Sequence, residues 1–228
     1  SVVGRRVRTR RAAPSAEVRD LVSRLLASPD AADVASRLGE LLLPAGSLPP
    51  RGGAVYVVTD GPLGQLPFGL IRHQGRYLAE DYVISYVPSL NALAALEERR
   101  QERPAEPLVL GDPLGDLPGA AREAREVAGL LGVPVLTGGA ATIEQLRRAS
   151  TARVLHLATH SGLGPRGPWL ALADSRVDAQ AVLAARIRPG LVVLATCASA
   201  ARRDKGMWSA LGGAFLAFRP DQANVEMR

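Results

Sequence analysis

The sequence predicts an α/β fold: a mostly parallel sheet with helices on both faces, preceded by a short helical segment. Three observations carry this. From residue 54 onward, short branched apolar runs alternate with longer stretches whose apolar residues recur at three- and four-residue steps, the pattern of strand–helix–strand units. Two of the short runs are apolar almost throughout, as strands covered on both faces are. The chain has 228 residues and 47% hydrophobic content, enough for a sizeable core. Aromatics make up only 4%, so that core must be built from Leu, Val, Ala and Ile.

The start is a basic arm. Arg5, Arg6, Arg8, Arg10 and Arg11 contribute much of the net charge of +6. Such a block reads first as a solvated arm, and it lacks the interleaved aromatics that stack on bases. Residues 15–43 read as two helices. Leu21, Leu25 and Leu26, then Val34, Leu38, Leu41 and Leu42, fall at helical steps. Ser28-Pro29-Asp30 breaks them, with Ser28 or Asp30 as cap. Proline and glycine make 44–53 a loop. The expected division is therefore 1–50, arm and helical segment, and 51–228, the α/β domain.

Within that domain, 55–59 is a β-branched strand and Asp60-Gly61-Pro62 a turn. A strand at 82–87 leads to a helix with Ser89 as N-cap. A strand at 107–111 runs into Asp112-Pro113. A helix at 119–131 stops at Gly132. A strand at 133–136 and a helix at 142–149, capped by Thr142, follow. Next come a strand at 153–158, a short strand in "PWLALA", a helix from about Asp178 and a strand at 191–196. "MWSALGGAFLAF" reads as a last helix.

Composition excludes several classes. One cysteine rules out an internal disulfide framework or a multi-cysteine zinc site and fits a reducing compartment. No apolar run reaches the ~18 residues of a membrane span, and no apolar h-region follows the basic start. A cytoplasmic protein with no membrane partner is expected.

The chemistry concentrates in "RVLHLATHS" and "LVVLATCAS", residues 153–161 and 191–199. The first apolar run ends on His160, the second on Cys197. In an open parallel sheet, reacting groups collect at the carboxyl ends of the strands. Neighbouring strands joined by the helix near 178–187 bring both residues to one edge. A free thiol is only a few per cent thiolate at neutral pH. A nearby imidazole takes its proton or stabilises the thiolate, then protonates the leaving amine. The backbone N–H groups of Cys197 and of Ser161 or Gly162 are candidates to hold the oxyanion. Small neighbours, Thr159, Ser161 and Gly162 on one side and Ala195, Thr196, Ala198 and Ser199 on the other, leave room for a substrate backbone. On spacing alone the other reading stays open: a lone cysteine ending an apolar strand is commonly a small buried hydrophobe.

His156 lies four residues before His160, an even spacing that directs both to one face of a strand. H-x-x-x-H suggests zinc, but Leu157, Ala158 and Thr159 between them supply no glutamate, and the segment is a strand. No metal and no cofactor are expected, and His156 reads as a buried supporting residue. His73, in "IRHQGR", reads as exposed. Asp60 and Asp112 follow strands and are candidates for a pocket preceding the scissile bond, where a carboxylate favours a basic side chain. Their turn signatures are the stronger reading, so no strict basic requirement is expected.

The segments "VVTDGPLGQLPFGLI", "YLAEDYVISYVPSL", "LPGAAREAREVAGLL" (with Glu123), "VLHLATHS" and "LVVLATCAS" together resemble the CHAT domain over roughly residues 20–218. This is a caspase-like bacterial peptidase domain of the same clan as caspases and separase. The resemblance implies a caspase-like sheet, His160 as general base and Cys197 as nucleophile. Ser161 stands where the family usually has glycine, and Ala198 where it often has an acidic residue. The family continues with a further strand beyond the last helix, so the domain is expected to be incomplete at its C-terminus.

The reading is a cysteine endopeptidase that cuts a protein substrate through a Cys-His dyad. Control by a regulatory protein partner or a sensor is expected with it; residues 15–43 allow the end of a helical-repeat region, but read first as a local helical cover on the sheet. The alternative is an inactive caspase-like binding module, since fold alone does not fix function. Direct nucleic-acid contact through the arginine-rich start is the third; it requires strongly salt-dependent binding lost with residues 1–12, and is not expected.

Overall fold

The computed structural model describes residues 2–3, 6–7, 15–43, 46–99, 106–196 and 213–215. Cys197, most of the basic arm and most of the last predicted helix lie outside them. The chain divides into two compact units, the first running to Leu90 and the second from Asn91 onward. Val2–Val3 and Arg6–Val7 pair antiparallel, so part of the arm is an extended ladder.

In the first unit, α1 (Ser15–Ala27) and α2 (Ala32–Leu42) are the two expected helices. Neither Ser28 nor Asp30 caps α2. The Ala31 N–H bonds the Ser28 carbonyl at 3.0 Å, closing a turn that moves the N-cap to Ala31, which has no side chain to offer. The helices pack Val22, Leu25, Ala35 and Leu38 into one core with Leu66, Phe68 and Ile71. That core explains "LPF": the Phe68 N–H donates to Tyr86 Oη at 2.7 Å, and the Tyr86 hydroxyl donates to the Leu66 carbonyl at 3.3 Å. The strand β1 (Ala54–Val57) lies beside β4 (Val83–Tyr86) in parallel. Between them in sequence run β2 (Arg72–His73) and β3 (Arg76–Tyr77), a hairpin, and the short helix α3 (Leu78–Asp81). Gln74 and Gly75 both take positive φ in its two-residue turn, as a hairpin of matching twist requires. His73 is consequently half-buried in a ladder, not exposed on a turn.

The second unit carries the main sheet. After α4 (Leu90–Arg99), which begins at the division between units, come β5 (Leu108–Gly111), α5 (Pro118–Leu131), β6 (Val135–Thr137), α6 (Ile143–Arg148) and β7 (Val154–Ala158). Then follow β8 (Ser161–Gly164), β9 (Gly167–Ala171), β10 (Arg176–Asp178), α7 (Ala179–Ala184) and β11 (Leu191–Ala195). The four-stranded sheet has the order β11-β7-β5-β6, every pair parallel. The six expected strands thus form two parallel ladders, one in each unit.

The helix ends are chemically marked. Gly132 closes α5 at φ 69°. Its N–H bonds the Gly129 carbonyl and that of Val133 the Ala128 carbonyl, the paired bonds of a Schellman stop. Thr142 Oγ1 accepts from the Gln145 N–H and Asp178 Oδ1 from that of Ala181, capping α6 and α7.

Side chains alternate across the sheet. Val109 packs under Ala124 and Ala128 of α5. Leu110, Leu155 and Leu157 face the other way, against Leu146 of α6, Val182 of α7 and Ile187. One helix therefore covers one face and two cover the other. This follows from the strand order: the chain steps from β5 out to β6, then back past β5 to β7 and on to β11. With crossovers of constant hand, reversing direction changes the face. Fully burying each such leucine stabilises the fold by about 1.5–3 kcal/mol. Among the described residues, no helix is long and apolar enough to cross a membrane.

Candidate active site

The reversal of strand order falls between β5 and β7. Adjacent loops leave the sheet there in opposite directions, the place where open α/β sheets take their ligands at the carboxyl ends. His160 stands two residues past the end of β7 and is half-exposed. Its carbonyl accepts the Ala171 N–H at 2.9 Å, fixing the backbone to β9. Its ring meets the loop that follows β5: Nε2 lies 3.0 Å from Asp116 Oδ1.

That loop is tightly tied. Asp112 is buried at 8% exposure and takes φ 45°, a left-handed conformation that costs a non-glycine residue about 1 kcal/mol or more. Its N–H bonds the Ala158 carbonyl at 2.9 Å, and its carbonyl accepts from Gly138 at 3.0 Å. Asp112 Oδ1 accepts the Leu117 N–H at 2.9 Å. The carboxylate considered for a substrate pocket is thus engaged in shaping the turn that presents Asp116. Asp60, in the first unit, is exposed and accepts the Gly61 N–H at 2.7 Å; it caps the short 3₁₀ helix Gly61–Gln65.

His156 is 3% exposed in the middle of β7, opposite Val109 in register and so on the α5 face. Its Nε2 comes within 3.1 Å of Glu123 Oε1, yet off the line of a hydrogen bond, so that the nitrogen has no hydrogen-bond partner among the described residues. His156 meets the middle of α5, and His160 meets the loop that enters it.

Around His160 the small residues have structural duties. Thr159 is buried and its hydroxyl donates to the Ala171 carbonyl at 2.8 Å, so it does not open the site. Ser161 and Gly162 begin β8, opposite Leu170 and Trp169 of β9. A Cβ at Gly162 would stand 2.5 Å from Trp169 Cζ2, so glycine admits the indole. Sequence reading did not anticipate this antiparallel meander β8-β9-β10 beyond one short strand. It also missed Asp116, whose one signal is the second aspartate of "GDPLGDLP".

β7 and β11 end in step, Ala158 opposite Ala195. The sequence places His160 and Cys197 each two residues beyond these ends. Among the described residues, no group of three or more His, Cys, Asp or Glu side chains could hold a metal ion.

Comparison with curated proteins gives no match. The family model of the CHAT domain matches residues 18–218, most of the chain and both units. Parallel sheet, histidine segment and family match agree: this chain belongs to the CHAT domain family, a caspase-like, peptidase-related family.

Proposed function

We propose that the protein is a cysteine endopeptidase acting on a protein substrate, with Cys197 as nucleophile and His160 as general base. The observation that carries this is the in-step ending of two adjacent parallel strands, each followed after the same interval by one member of the pair. His160 takes the thiol proton, the thiolate attacks the scissile carbonyl, and the imidazolium protonates the leaving amine. Water then cleaves the acyl-enzyme by the same route. Backbone N–H groups of Cys197, and of Ser161 or Gly162, are the proposed donors to the oxyanion. A regulatory protein partner and action in the cytoplasm belong to the same proposal.

A peptidyl acyloxymethyl ketone tests it. Wild-type protein should be labelled stoichiometrically at Cys197, and new protein N-termini in a lysate should depend on Cys197. Cys197→Ala should lose both. Absence of labelling in the wild type, with the partner supplied, would favour the inactive binding module.

Specificity gives a second expected result. Asp112 spends its carboxylate on Leu117 and Asp60 on Gly61, so neither is proposed to impose a strict basic residue before the scissile bond. Peptide-library profiling should show no absolute Arg or Lys requirement. Such a preference, abolished by Asp60→Asn or Asp112→Asn, would reverse the assignment.

A further inference from the structure

We infer that Asp116 is a positioning residue for His160, a third member behind the proposed dyad; this rests on that reading. A carboxylate only accepts hydrogen bonds. With Asp116 Oδ1 at 3.0 Å from Nε2, the neutral imidazole carries its proton on Nε2. The lone pair is then left on Nδ1, the nitrogen free to take a thiol proton. When Nδ1 receives that proton, the ring becomes an imidazolium with N–H on both nitrogens. Asp116 stabilises the positive charge without accepting a proton itself. The ring needs such a partner. It lies beyond the strand, its side chain 41% exposed, and Asp116 is its hydrogen-bond partner among the described residues.

The placement of Asp116 is built rather than incidental. Asp112 accepts a positive φ and buries its carboxylate to hold Leu117, the residue next to Asp116. The same Asp112 ties the loop to Ala158 at the end of β7, two residues before His160. One strained, buried residue thus ties the loop that carries Asp116 to the strand that leads to His160. As a contribution to stability the pair is small, since Asp116 is 57% exposed and exposed pairs are screened. Its effect is on the direction and charge of one ring.

The test is the rate of carboxamidomethylation by iodoacetamide at neutral pH. It reports one thiol, because Cys197 is the only cysteine. Five proteins are compared: wild type, Asp116→Asn, Asp116→Glu, His160→Ala, and His160→Ala with Asp116→Asn. Asp116→Asn should slow the reaction about tenfold. That is far less than neutralising a buried triad aspartate costs, because this pair is half-exposed. Asp116→Glu should recover much of the rate. In the His160→Ala background, Asp116→Asn should change nothing further, since coupled residues are not additive. An unchanged rate in Asp116→Asn overturns the assignment. So does an equal slowing in both backgrounds, which would mark Asp116 as a support of the fold. If His160→Ala alkylates like the wild type, the dyad reading itself falls, and Asp116 has no base to position.

Discussion

Replacing His160 by alanine is expected to lower kcat/KM for a cleaved peptide about 10³-fold, within the range a positioned acid–base group supplies, while thermal unfolding stays within about 0.5 kcal/mol of wild type. The separation follows from where the ring sits. His160 lies past the end of β7, half-exposed, with its backbone held through its own carbonyl to Ala171. Truncation leaves the backbone bond to Ala171 intact and removes, among the described residues, the half-exposed contact with Asp116. His156→Ala provides the contrast. That ring is 3% exposed beneath α5, and its removal leaves a cavity between β7 and the helix. A loss of about 2 kcal/mol or more of stability is expected, with activity falling through the folded fraction. Kinetics paired with thermal melts of the two variants checks this. Equal loss of stability in both would place His160 in the core, and unchanged hydrolysis in His160→Ala would remove it from the mechanism.

The framework was legible because its signals are local. Branched apolar runs at 107–111, 153–158 and 191–196 became β5, β7 and β11 to within a residue or so. Gly132, Thr142 and Asp178 marked helix ends by chemistry that acts within four residues. What escaped depends on which strand pairings and turn hydrogen bonds form, and residue type alone does not show that. "SGLG" has little strand propensity, and Ser161–Gly164 is extended because β9 pairs with it. His73 has polar neighbours that suggest exposure, yet it pairs with Arg76 in a ladder and is half-buried. Ala31 became an N-cap only because the Ser28 turn used the preceding residues.

The same distinction divides the site. His160 was legible as the residue two past an apolar strand. Asp116 was not, for an aspartate in a Gly/Pro loop looks like any turn former. Its meaning arises from the strand order, which sets β5 beside β7 and so sets residue 116 against residue 160. Asp112 shows the converse. Sequence alone allowed it a substrate pocket or a turn, and the positive φ with the bond to Leu117 shows the turn chemistry at work. Cys197 lies outside the described residues. Its place in the proposal comes from the sequence, two residues past β11, and from the register of β11 with β7.

Gly39→Ala should destabilise the first unit by about 3 kcal/mol, the upper part of the range for overpacking. In an ordinary helix interior the sign is opposite, since alanine for glycine gains roughly 0.5–1 kcal/mol. The difference lies in what the new methyl meets. Gly39 is in α2, against the β2–β3 hairpin. A Cβ there would stand 1.9 Å from the Arg72 carbonyl oxygen and 3.1 Å from its carbon. Those are backbone atoms, and no rotamer change relieves them. Ile71, the neighbour of Arg72, is fully buried in the core shared with Leu38, so the hairpin cannot retreat without opening that core. Gly129 in α5 supplies the control. It is exposed, and a Cβ there meets nothing within 4 Å. Gly129→Ala is expected to stabilise by the ordinary amount. Urea unfolding of both variants, followed by tryptophan fluorescence and far-UV circular dichroism, reads the two signs. A Gly39→Ala protein as stable as wild type would show that α2 and the hairpin do not approach this closely. A destabilised Gly129→Ala would instead point to a neighbour over the exposed side of α5.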